Sequence, residues 1–252
     1  MDAAAAEPDT TASSRVTIWD LAIPLLGGGA AFIASGIGVA IMRRLHPAAI
    51  NIASLPRNFW YLHIFALLLY VAVLVFVVWR VRRKQGGLIA GLTPVPAGTL
   101  LGGAVSGFTF ALLFMATIGV LMSTHLIEFH PTSAELALTP HTPPQMALAL
   151  LSVAVFAPLA EEMYFRGLLL TWLDGKLGVI AAATISAVIF GVFHFRFRSH
   201  IGAEGLVLTA VLILFGAMNA VWAIRTRSLW PSILAHGFYN GTLMLLPFLG
   251  KH

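Results

Sequence analysis

The chain has 252 residues, 59% of them hydrophobic and 10% charged, with a formal net charge of +5 and a mean hydropathy of +0.90. Soluble domains carry about 25% charged residues, so this composition excludes an ordinary soluble globule and describes a chain that crosses a membrane several times. The absence of cysteine excludes disulfides, thiol catalysis, thiolate metal sites and C-terminal prenylation of this chain.

Residues 1–16 are acidic and rich in small residues, and they read as a disordered N-terminal tail. A span needs about 20 apolar residues, with a range of about 17–25, and seven segments qualify: 18–42, 59–79, 98–122, 145–172, 178–195, 203–224 and 229–249. The predicted fold class is all-α, a polytopic transmembrane helix bundle of about seven spans. Three N-terminal spans occupy residues 17–122. The first is rich in Gly and Ala, which permits close helix packing, and the second has aromatics at both ends, as interfacial belts do. His63 lies near one end of that second span and is expected to be an interfacial residue.

The linker 123–144 contains no Lys or Arg and is therefore predicted on the non-cytoplasmic side. Its His125, His130, His141, Glu128 and Glu135 have the spacing of no familiar metal site, so a solvated loop is expected. Alternating spans then place Arg80–Lys84, Lys176 and Arg225–Arg227 in the cytoplasm, with the N-terminus inside and the C-terminus outside. Because these basic residues flank apolar runs, they set membrane orientation and do not indicate nucleic acid.

Residues 145–252 make a core of four spans that holds three polar clusters. In "PLAEEMYFRG", Glu162 and Arg166 are four apart and share a helical face, so Arg166 can neutralise Glu162 inside the membrane. Glu161 points about 100° away and is left without that partner, while Pro158 should kink the helix just before the pair. In "FGVFHF", Phe190 and His194 share a face, and in "WPSILAHGFYN" so do His236 and Asn240. Charges inside a bilayer are costly; each cluster alone also reads as a packing ion pair, a core histidine or helix–helix glue, and their joint occurrence in the last four spans points to a functional site. A carboxylate, two imidazoles and a carboxamide can activate water and stabilise an oxyanion, or can relay protons.

These clusters match EExxxR, FxxxH and HxxxN in order and spacing. Over roughly residues 145–245 the chain resembles the CAAX protease and bacteriocin-processing family, the type II CAAX prenyl endopeptidases and their bacterial relatives. The resemblance implies an intramembrane endopeptidase acting on a membrane-associated substrate: a CAAX-type protein, a leader or a sorting tail. By position it implies that Glu161 and His194 activate the hydrolytic water and that His236 and Asn240 serve the oxyanion. Arg166 would order the acidic motif, with Glu162 supporting. It also implies a glutamate-dependent enzyme without a cofactor, although two His and a carboxylate could hold a divalent metal such as zinc. The expected partners are the lipid bilayer and a membrane-associated protein or peptide, and the expected location is a prokaryotic inner membrane. Two rival readings remain at the level of sequence: a non-catalytic immunity or assembly factor on the same scaffold, and a proton-coupled transporter.

One difficulty follows from helix rise. At about 1.5 Å per residue, His194 lies about 24 Å from the start of its span and His236 about 10 Å from the start of its own. They meet only if the helices are tilted, kinked or partly re-entrant, or if the span boundaries lie elsewhere.

Overall fold

The computed structural model describes residues 15–27, 30, 44, 55–84, 87–128, 139–195 and 202–250. Among these, seven helices carry the fold: α1 (Ile18–Gly27), α2 (Leu55–Lys84), α3 (Ala97–Ser123), α4 (Pro143–Leu177), α5 (Val179–Phe195), α6 (Ala203–Thr226) and α7 (Trp230–Leu249). The second to seventh predicted spans each coincide with one helix, with ends displaced by a few residues. Of the first, only Ile18–Gly27 and Ala30 are described, and the rest of segment 18–42 lies outside the described residues, as do His130 and Glu135. His63–Lys84, α3, α4 and α6 are long and apolar enough to cross a membrane. The α5 helix is apolar but has 17 residues. The 20-residue α7 is diluted by the polar groups it carries into the interior. The protein is therefore an all-α, integral membrane bundle.

The closest helix approach is made by glycine. On α3, Gly103 and Gly107 are one turn apart and lie on the backbone of α7, against Pro231 and the Ala235 carbonyl respectively, where a methyl group would collide. The rising register shows that α3 and α7 run parallel, and bare backbone lets them touch as small-xxx-small faces do. Across the bundle, Gly191 of α5 packs on Thr209 and Ile213 of α6, and Gly216 of α6 packs on Ala187 of α5. Phe215, Phe190 and Tyr239 fill the centre between these pairs.

The depth of α7 is fixed by a polar corner. Leu229 donates its N–H to the Gly91 carbonyl (2.8 Å), Ser228 Oγ to the Thr93 carbonyl (2.6 Å) and Thr93 Oγ1 to the Arg227 carbonyl (2.8 Å). Arg227 turns the chain there at φ 52°, in the left-handed region. Leu229 also lies against Gly167 of α4, so α7 starts level with Gly167, ten residues before the end of α4. At about 1.5 Å per residue this recesses the start of α7 by about 15 Å. The stagger resolves the depth difficulty: His236 is raised to the level of the glutamates, and α5 needs no bend to bring His194 there.

Near the chain's start, Asp20 pairs with Arg80 (3.2 Å) while accepting the N–H and hydroxyl of Thr17, which fastens α1 to α2. Tyr164, three residues past Glu161, donates its hydroxyl to the Leu21 carbonyl (3.2 Å). His63, expected at an interface, is instead buried at 3% exposure, on the α2 face that also carries buried Val77 and Val81.

Candidate active site

The helix that carries the acidic pair is not a uniform α-helix. Within α4, wide π turns over Leu151–Phe156 and Met163–Leu169 bracket the ordinary α segment Ala157–Glu162. Proline explains the first of them. In π register the Val153 carbonyl would accept the N–H of residue 158, and Pro158 has none. Asn240 of α7 supplies the missing donor, its Nδ2 lying 2.8 Å from the Val153 oxygen. Gly237 lets α7 come this close, since a side chain there would strike the Ala154 carbonyl. Where a kink is expected before the glutamate pair, the helix has a widened turn clamped by Asn240.

Glu162 and Arg166 are both fully buried, with Arg166 Nη1 2.9 Å from Glu162 Oε1. Arg166 Nη2 donates to the Gly216 carbonyl (3.1 Å), and the guanidinium lies over the Phe190 ring at 4.4 Å. The pairing read from the four-residue spacing is thus present. Glu162 Oε1 has two further donors that the sequence did not reveal: His236 Nδ1 at 2.8 Å and Asn219 Nδ2 at 3.4 Å.

Glu161 faces elsewhere. Its Oε2 lies 3.4 Å from His194 Nε2 and 3.9 Å from His236 Nε2, and it has no hydrogen-bond partner. The other ring nitrogens define the tautomers. His194 Nδ1 is 2.8 Å from the Phe190 carbonyl, and His236 Nδ1 is bonded to a carboxylate already paired with arginine. Both of those partners can only accept, so both Nδ1 atoms carry hydrogen. In the neutral rings, both Nε2 atoms then turn lone pairs toward the Glu161 oxygen, and three acceptors converge on one place.

Aromatic rings set the histidines. His236 sits edge-on between Phe190 and Phe215 (centroids 5.7 and 5.3 Å), and His194 packs on Phe190 at 4.4 Å. Exposure rises outward from the ion pair: the side chains of Glu162 and Arg166 are 0% exposed, Glu161 16% and His194 29%. The site therefore opens on the side of His194. Two carboxylates and one guanidinium leave one negative charge, and a proton on either imidazole would neutralise the cluster.

The structure thus brings Glu161, Glu162, Arg166, His194 and His236 together. Asn240 stands one turn beyond His236, bound to the neighbouring helix. Among the described residues, no group of three or more His, Asp or Glu side chains is arranged to hold a metal ion.

Sequence reasoning missed Asn219. Its signal was an amide in the middle of the sixth apolar run, within "FGAMNAV", at a position belonging to none of the three motifs.

A family model described as type II CAAX prenyl endopeptidase Rce1-like matches residues 143–242. Over an alignment 99 residues long that covers 34% of this chain, the protein is 36% identical to CAAX prenyl protease 2 of Homo sapiens. That match spans 30% of the relative's length. No solved structure matches this chain. The matched region holds both carboxylates, both imidazoles, Arg166, Asn219 and Asn240, and it is over residues 143–242 that the chain is similar to the Rce1-like type II CAAX prenyl endopeptidases.

Proposed function

We propose that this protein is an intramembrane endopeptidase that hydrolyses a peptide bond of a membrane-associated protein or peptide. The observation that carries the reading is the convergence of Glu161 Oε2, His194 Nε2 and His236 Nε2 on one place beside a buried ion pair. Three acceptors facing one another call for a donor between them, and water is the donor that hydrolysis consumes. A water held by Glu161 and His194 gives one proton to Glu161 as its oxygen bonds to the scissile carbonyl carbon. The resulting oxyanion accepts hydrogen bonds from His236 and from the second amide proton of Asn240. Because His236 Nδ1–H is committed to Glu162, Nε2 is an acceptor in the resting site and donates only after taking up one proton from solvent, which brings the cluster from one negative charge to neutral. When the C–N bond breaks, Glu161 returns its proton to the leaving amine. Losing one oxyanion donor typically costs about 10²–10³ in rate.

The human relative's name makes a prenylated C-terminal CaaX peptide the first substrate to assay, with leader peptides and sorting tails beside it. Arginine far exceeds lysine and alanine is abundant; this bias fits a prokaryotic cell membrane as the location. Purified protein in liposomes should cleave at least one of these substrates, and Glu161→Gln should abolish turnover while remaining folded in detergent. Cleavage by Glu161→Gln would overturn the assignment. Activity is expected to survive exhaustive chelation, because every step above uses protein groups. Failure to cleave anything, combined with binding of a membrane protein, would support a non-catalytic immunity or assembly factor.

A further inference from the structure

The α6 helix contributes no motif residue, yet it forms the fourth wall of the site. At one level it offers the Gly216 carbonyl to Arg166 Nη2 (3.1 Å), its Asn219 backbone oxygen to Ser232 Oγ of α7 (2.9 Å), and the Asn219 amide to Glu162 Oε1 (3.4 Å). Asn219 is fully buried, where an amide is costly unless its hydrogen bonds are replaced, and its Oδ1 has no partner, so Nδ2 carries what the side chain regains. Simple helix adhesion would be met by the Ser232 bond, which uses the Asn219 backbone and is indifferent to its side chain. The side chain goes instead to the carboxylate oxygen that also holds His236.

We propose that Asn219 is a positioning residue: by donating to Glu162 Oε1 it fixes the carboxylate that orients His236 Nε2 toward Glu161. Arg166 Nη1 alone leaves the carboxylate free to turn, because an arginine on the same helix can pair with either oxygen. A donor from α6 and another from α7 converge with it on Oε1, so three helices hold one atom. With Oε1 held, His236 keeps its proton on Nδ1 and its lone pair toward Glu161. With Asn219 removed, Glu162 can rotate, and His236 loses its single preferred tautomer. The consequence for catalysis rests on the hydrolytic reading above, whereas the tautomer does not.

The test uses full-length protein labelled with ¹⁵N in its histidine rings, with His236 assigned by the signals lost in His236→Gln. Wild type should show His236 protonated at Nδ1 and free at Nε2. Asn219→Leu should show mixed tautomers at His236 and leave His194 unchanged. Against a cleaved peptide, the same variant should lose about tenfold or more in kcat with KM within about twofold, and Asn219→Gln should restore part of both signatures. If Asn219→Leu does not yield folded protein, Asn219→Ser is read in the same way. A single wild-type tautomer and unchanged kcat in the variant would overturn the proposal. A tautomer that shifts in a protein that cleaves nothing would sink the hydrolytic reading and leave the positioning role standing.

Discussion

Arg166 has its donors divided between two helices, with Nη1 on Glu162 and Nη2 on the Gly216 carbonyl, and its flat face rests on Phe190. Replacing it by leucine would leave Glu162 charged, fully buried and without its countercharge. Breaking one side of a buried pair costs about 3–5 kcal/mol, so Arg166→Leu should lower the thermal midpoint in detergent by many degrees. Arg166→Lys should recover little, because a single ammonium cannot copy the planar fork that spans both helices. A midpoint for Arg166→Leu within a degree or two of wild type would show that the pair is not closed to solvent. The pair itself was legible in the sequence, because four residues on one helix fix a shared face without any tertiary information. The freedom of Glu161 was legible for the same reason. The tautomers of His194 and His236 were not, since their partners are a backbone carbonyl and a carboxylate placed by folding. Asn219 was hidden in the same way: an amide in an apolar run gains its meaning from the helix it meets.

At the scale of elements, the position of α7 decides whether the histidines meet, and α3 holds α7 over its first turns. A side chain at Gly107 would land on the Ala235 carbonyl, immediately before His236. Gly107→Leu should therefore push α3 away, at a cost of about 1–3 kcal/mol or more for overpacking. Peptide cleavage should fall more steeply than stability, because His236 moves with the backbone it shares with Ala235. As a control, Gly119→Leu lies on the same helix in open space and should change neither. Equal behaviour of the two variants would show that α3 does not set the register of α7. Gly103 and Gly107 did not stand out in the sequence, because their role depends on the partner helix and the parallel direction, which folding sets. The span boundaries were read to within a few residues because apolar length is a local property. The recessed start of α7 was illegible, since it depends on contacts of 91–93 with 227–229, far apart in the chain. The π turns of α4 were half-readable: Pro158 announced a disturbance, but its form depends on Asn240 meeting Val153.

At the scale of the whole molecule, the bundle presents unequal cylinders to the bilayer. Its α4 has 35 residues and α6 has 24, whereas the apolar run that α5 carries, Val179–Phe195, has 17 and is followed in sequence by Arg196. A 17-residue helix is about 25 Å long, against a hydrocarbon thickness of about 30 Å. An apolar run shorter than the hydrocarbon is accommodated by thinning of the lipid, by snorkelling of flanking residues or by association; thinning would draw headgroups and their hydration down beside α5. The wet boundary would then lie next to the most exposed member of the cluster, so lipid deformation could supply the hydrolytic water that the tightly packed helices would otherwise exclude. Cleavage should accordingly run faster in vesicles of short-chain phosphatidylcholine than in long-chain vesicles at equal substrate loading, with the difference largely erased in detergent micelles. A rate independent of chain length would mean that water reaches Glu161 through the protein itself.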